Sequence, residues 1–215
     1  VRMAGIQYLT DILKKVAVQD GKIISGVSYA AWGVPEGTVG KRARTEYSIA
    51  SMKKLAPVAD SLGIQYAVEV VNRFEGVVLN TAREAVDYVK AVDCPNVGIL
   101  LDTYHMNIEE PSIKDAIHTA ADHLIGFHIG ENNRTAPGRG HLDWDEIFGA
   151  LREVDYRGRI VAELFVKAGG EVGRDIYVWK DLITEEGEAV LDREAEYMFG
   201  FVRDKLARKE REGVV

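Results

Sequence analysis

The sequence predicts an α/β fold: a TIM-type (β/α)8 barrel whose first roughly three βα units are absent from the 215-residue chain. Three observations carry this. Short apolar runs of strand length alternate with stretches of helical period, without a low-complexity break, and regular alternation of this kind implies a parallel sheet. Five such runs occur, near residues 23, 64, 97, 124 and 159, whereas a closed barrel needs eight strands and typically about 250 residues. The chain also opens without an initiating Met, in a stretch that reads as the inside of a helix. A complete doubly wound sheet is the competing architecture, but no Gly-x-Gly-x-x-Gly loop follows the first strand. Residues 1–215 are expected to form one domain, incomplete at its N-terminus and long enough to bury a core.

Residues 3–18 place Ile6, Leu9, Ile12, Leu13 and Val16 on one helical face. Ile23 to Tyr29 reads as a strand, followed by a Gly- and Pro-rich loop from Gly33 to about Gly40. Thr45 to Leu62 is a long helix stopped by Gly63. Ile64 to Val71 is a strand, and Thr81 to Val92 a helix with Asn80 as its expected N-cap. Val97 to Leu101 is a fully apolar strand ending in Asp102. Ser112 and Asp115 open a helix that reaches His123, and Leu124 to Ile129 is the next strand. A polar loop spans Gly130 to Gly140, and Asp143 caps a helix from Trp144 to about Val154. Arg159 to Leu164 is the last strand, Lys167 to about Trp179 a long loop, and Leu191 to Arg208 the final helix. The charge run Arg203 to Arg211 reads as a solvated face.

Composition excludes several classes of function. Apolar residues make up 47% and charged residues 28%, as in an ordinary globular protein. A net charge of -7 and a pI near 5.3 argue against nucleic acid or anionic membrane as partner. No run of about 18 apolar residues is present to span a membrane. The single cysteine, Cys94, precludes an intrachain disulfide and fits a reducing, cytoplasmic setting, where it reads as a packing residue.

Four residues stand out against their apolar strands: Glu69, Asp102, His128 and Glu163, separated by 33, 26 and 35 residues. One βαβ unit takes about 30 residues, so each successive unit supplies one of them. Taken singly, each has a plain alternative. Glu69 and Glu163 could be members of buried ion pairs, Asp102 the N-cap of a following helix, and His128 a satisfied core histidine. Together, four consecutive strands carry a hard-ligand side chain toward the same end, where barrel active sites lie. Three oxygen donors and one nitrogen donor favour Mn²⁺, Mg²⁺ or Co²⁺, and without a thiolate a structural zinc site is disfavoured. Just beyond these strands, Glu75, His105 and Arg134 can all hydrogen-bond a substrate's oxygens, although Glu75 and Arg134 could equally be a surface pair. His141 is a further loop candidate; His118 and His123 carry no expected role.

The string Leu62-Gly63-Ile64-Gln65-Tyr66-Ala67-Val68-Glu69-Val70-Val71-Asn72-Arg73-Phe74-Glu75 resembles the D-tagatose 3-epimerase / D-allulose (psicose) 3-epimerase family. So do Leu101 to Glu110 (LDTYHMNIEE), Gly126 to Arg134 (GFHIGENNR) and Trp144 to Leu151 (WDEIFGAL), and the likeness covers essentially the whole chain. The resemblance implies that Glu69, Asp102, His128 and Glu163 bind the metal, that Glu75, His105 and Arg134 contact the sugar near O1 to O3, and that Trp32 forms an aromatic wall beside it. It implies inversion at C3 of a free ketose, with Glu69 and Glu163 as the acid/base pair on opposite faces of C3 and the ion polarising the carbonyl. The expected cofactor is one divalent ion, Mn²⁺, with Co²⁺ or Mg²⁺ as alternatives, and the expected assembly a homodimer or homotetramer. A related sugar or hydroxypyruvate isomerase on the same barrel, or a non-catalytic sugar-binding barrel fragment, are the competing readings. A multi-zinc nuclease for abasic DNA is opposed by five histidines and the acidic charge.

Overall fold

A computed structural model describes residues 2–33 and 40–207. The body of the Gly- and Pro-rich loop, 34–39, and the end of the charge run from 208 onward lie outside them. Among the described residues the order is α1 (Arg2–Val18), β1 (Ile23–Gly26), α2 (Lys41–Ser61), β2 (Gln65–Glu69), α3 (Ala82–Val92), β3 (Val97–Asp102), α4 (Thr103–Glu109), α5 (Ile113–Ala120), β4 (Leu124–Ile129), α6 (Trp144–Glu153), β5 (Arg159–Ala162), α7 (Gly170–Asp175) and α8 (Glu188–Ala207). The five strands form one parallel sheet in the order β1-β2-β3-β4-β5, part of a barrel wall with helices packed around it.

The strand chemistry explains the layering. All six residues of β3 are buried, as a parallel strand covered on both faces requires. Tyr66 and Val68 of β2, Ile99 and Leu101 of β3 and Phe127 of β4 join Val86 and Val89 of α3, Ile117 of α5 and Ile147 and Leu151 of α6 in one core. Register then sets the site. Asp102 pairs with His128, His128 pairs with Val161, and Glu69 closes β2 beside Leu100. Glu163 follows β5 directly, its N–H donating to the Ile129 carbonyl at 3.0 Å. A Cβ on Gly130 would lie 2.9 Å from the Glu163 carbonyl oxygen, so this close approach depends on glycine.

Several boundaries differ from the sequence reading. The strand predicted to reach Tyr29 stops at Gly26, and the one predicted to reach Leu164 stops at Ala162. The helix predicted from Thr45 starts at Lys41. The stretch predicted to run helical to His123 tightens into a 3-10 turn at Ala121–His123. The cap of α3 is Thr81, whose hydroxyl accepts the Glu84 N–H, and not Asn80. The Asn80 amide instead donates to the Val71 and Gly76 carbonyls, tying down the loop after β2. Two short helices lie outside the predicted spans, α4 directly after Asp102, where only the alternative reading of Asp102 as an N-cap allowed one, and α7 inside the loop after β5. Cys94 is the packing residue expected, its thiol on Asn96 Oδ1 at 3.0 Å.

Candidate metal centre

Strand ends bring the four predicted ligands together. Donor atoms of Glu69, Asp102, His128 and Glu163 all lie within 4.8 Å of one another. His128 Nδ1 sits 3.4 Å from Glu69 Oε1, 3.3 Å from Glu163 Oε2 and 3.9 Å from Asp102 Oδ2. An octahedral ion with bonds of about 2.1 Å places neighbouring ligands about 3 Å apart and opposite ones about 4.2 Å. The His128 separations of 3.3 to 3.9 Å fall in this range and the 4.8 Å bound on the whole set is slightly wider than it, while three carboxylates facing one imidazole suit a hard cation.

Asp102 answers both of its sequence readings. Oδ1 caps α4, accepting the N–H groups of Tyr104 at 2.7 Å and His105 at 3.4 Å. Oδ2 faces the cluster. Burial alone would raise this fully buried carboxyl, but the Arg134 guanidinium and His105 outweigh it and hold it below the ordinary range. Glu69 moves the other way: burial, reinforced by the charges of Glu163 and Asp102, outweighs His128 and pushes it up. Burial would lower His128, yet its hydrogen bonds to Glu163 and Glu69 prevail and hold it up at about 10.

The second tier converges on the same point. Arg134 Nη1 donates to Asp102 Oδ2 at 2.9 Å and to Glu163 Oε2 at 3.2 Å, and Nη2 lies 3.0 Å from His105 Nε2. Its guanidinium carbon stands 4.0 Å from the Tyr104 ring centroid and 4.8 Å from that of Phe165. Glu75 Oε1 accepts from the Asn72 amide at 2.8 Å and lies 4.0 Å from His105 Nδ1. Burial pushes Glu75 up. Burial, helped by Arg134, outweighs Asp102 and holds buried His105 down at about 4, so it is neutral near pH 7. Trp32 is 47% exposed and precedes Gly33, whose N–H donates to the Glu75 carbonyl at 2.8 Å. His141 lies in an exposed loop, its backbone N–H on Asn132 Oδ1. A cavity of about 240 Å³ opens over Glu75, Tyr104, Asn132, Arg134 and Phe165.

Sequence reasoning gave no role to Asn72, Tyr104 or Phe165. Asn72 is 1% exposed and bridges Glu75 to His105, its side-chain nitrogen 2.9 Å from His105 Nδ1. Its position just past the strand that ends in Glu69 was the available signal. Phe165, two residues past Glu163, carried none, because an apolar residue directly after the Arg159 to Leu164 run reads as ordinary core.

Residues 4–196 match the xylose isomerase-like TIM barrel family. D-psicose 3-epimerase of Ruminiclostridium cellulolyticum is 44% identical over 204 residues, covering 94% of this chain and 70% of the relative. The chain belongs to the ketose 3-epimerase family. Epimerases of this group are isomerase-class enzymes, and so is this chain. Among solved epimerase structures, D-psicose 3-epimerase from Clostridium cellulolyticum H10 with D-tagatose superposes with a TM-score of 0.92 at 44% identity, over 95% of this chain and 71% of that one. A D-psicose 3-epimerase in the presence of D-fructose gives 0.93 at 42%, over 96% and 72%. The described sheet holds five of the eight strands of such a barrel. No helix among the described residues is long and apolar enough to cross a membrane.

Proposed function

We propose that this ketose 3-epimerase family member interconverts C3-epimeric free ketoses of the D-tagatose, D-psicose and D-fructose class, with one divalent ion held by Glu69, Asp102, His128 and Glu163. The observation that carries the reading is the convergence of these four donors at the strand ends, in a chain 44% identical to a D-psicose 3-epimerase. When bound, the ion supplies Lewis-acid polarisation of the ketose carbonyl, which makes the C3 proton acidic enough to be removed by a carboxylate.

The chain's own residues do the rest. On this reading Glu69, the last residue of β2, and Glu163, just past β5, address opposite faces of C3. One takes the proton and the other returns a proton from the far side through the cis-enediolate, and access from both faces gives epimerisation. Arg134 and His105 hold O1 and O2, and Glu75 accepts from a neighbouring hydroxyl. His105 does this as a neutral imidazole at physiological pH. Holding O1 and O2 restrains rotation of the intermediate. Trp32 and Phe165 offer apolar surface to the sugar's remaining carbons.

On this reading residues 1–215 act as one domain, a homodimer or homotetramer working in the cytoplasm with Mn²⁺ and, alternatively, Co²⁺ or Mg²⁺. The test is a metal-dependent assay of D-fructose, D-psicose, D-tagatose and L-ribulose in deuterated water. The expected result is a C3-epimeric product labelled at C3, with Glu163→Gln lowering kcat by roughly 10²- to 10⁴-fold while the fold is retained. Near-normal turnover by Glu163→Gln would sink the acid/base assignment.

A further inference from the structure

The segment from Gly130 to Leu142 carries Arg134, and its anchor is a carboxylate that neither the metal cluster nor the acid/base pair uses. Glu131 is 0% exposed. Its Oε1 accepts the Trp144 indole N–H at 2.6 Å and the Gly138 N–H at 2.7 Å. Its Oε2 accepts the Leu142 N–H at 3.3 Å and its neighbour Asn132's N–H at 3.4 Å. Four N–H donors thus bind one buried carboxylate and gather the start, middle and end of the loop around it.

The backbone of the same residue closes the turn. The Arg134 N–H donates to the Glu131 carbonyl at 2.9 Å, and the Glu131 N–H to the Thr135 carbonyl at 3.0 Å. Within this turn Arg134 has φ +64°, the left-handed region that residues with a Cβ adopt reluctantly. Such a conformation persists only where the surroundings impose it. Trp144, the first residue of α6, is itself braced edge-on against Phe201 of α8, with centroids 5.8 Å apart. The far end of this chain of contacts is the Arg134 guanidinium on Asp102 and Glu163.

We propose that Glu131 is a positioning residue: its carboxylate imposes the left-handed turn that holds Arg134 over the metal ligands, and so governs ketose binding and turnover without touching the sugar. The activity arm of this inference rests on the epimerase reading; its spectroscopic arm does not.

Glu131→Gln preserves size but leaves one oxygen for four donors and turns an amide NH₂ against two of them. The expected loss in kcat/KM for a ketose is about 10- to 100-fold, as a displacement of about 1 Å produces. In an Arg134→Ala background the same substitution should change kcat/KM by less than about twofold, because the group through which it acts is gone. Independently of turnover, the Arg134 Nε–H resonance, assigned by its disappearance in Arg134→Ala, should shift or broaden in Glu131→Gln. Gly140→Ala is the second variant: its Cβ would run into Glu131 Oε2 and Asn132 Oδ1, and it should reproduce both effects. An equal loss with and without Arg134, or an unmoved Arg134 resonance in a folded variant, overturns the proposal. A wild-type chain that binds metal but turns over none of the ketoses counts against the epimerase reading and leaves the resonance to decide this one.

Discussion

His105 should make the protein lose stability on mild acidification, by an amount the structure sets. Its ring is 2% exposed and held at about 4, against an ordinary imidazole near 6.5 in the unfolded chain. The folded pKa lies below the unfolded one, so the unfolded chain takes up the proton first. The stabilisation is therefore complete above pH 6.5 and is lost as pH falls toward 4. At about pH 5 the unfolded partition function gains a factor of about 33 from imidazole protonation and the folded one about 1.1, which corresponds to about 2 kcal/mol; at about pH 7.5 the same contribution is close to zero. The perturbation is His105→Asn, which keeps a short polar acceptor where Nδ1 receives the Asn72 N–H. The assay is urea unfolding of chelator-treated wild type and variant at both pH values. Burial raises Glu69, Glu75 and Glu110 in both proteins, so their effects cancel in the difference. Wild type should lose about 2 kcal/mol more than His105→Asn between the two conditions. Parallel losses would refute the neutral, buried imidazole and with it the assignment of His105 as an uncharged partner for a sugar oxygen.

The other expectations concern the ion. In the metal-free protein His128 keeps its proton up to about pH 10, a stabilisation present below its unfolded value of 6.5 and lost as pH rises through 10. Ligation needs a neutral nitrogen, so loading Mn²⁺ near pH 7.5 should release about one proton, read by calorimetry in buffers of differing ionisation heat; no buffer dependence would mean that His128 does not ligate. Asp102→Asn should weaken the ion by at least about 100-fold, since it removes one first ligand where even supporting groups are worth 10- to 100-fold. Its amide oxygen still caps α4, so the circular dichroism spectrum should persist; a metal affinity within about threefold of wild type would remove Asp102 from the ligand set. Chelation of the wild type should abolish ketose turnover and lower Tm, and Mn²⁺ should restore both; turnover that survives exhaustive chelation would rule out dependence on the ion.

The periodic parts of the molecule were legible in its sequence, and the misreadings share a cause. β3 and β4 were found because Val97 to Asp102 and Leu124 to Ile129 are runs without a charged or polar residue apart from Asp102 and His128, at βα spacing. α4 was missed because it starts at Thr103 with no turn residue between strand and helix, its cap being the last strand residue itself. Asp102 posed a choice between cap and ligand that its two oxygens make unnecessary. Asn80 was preferred to Thr81 as a cap because both are good capping residues; the loop it ties to Val71 and Gly76 decided between them.

By itself the sequence determined the alternation of strands and helices, and that each of four successive units ends in a group able to hold a hard cation. Those properties depend on local hydrophobic period and side-chain chemistry, which neighbouring residues settle among themselves. Only the tertiary structure decided that Asp102 pairs in register with His128, that Arg134 turns back onto Asp102 and Glu163, and that His105 is held neutral while Asp102 is held ionised. Each of these depends on groups about 30 residues apart along the chain, the length of one βαβ unit, and on water being excluded from the space between them.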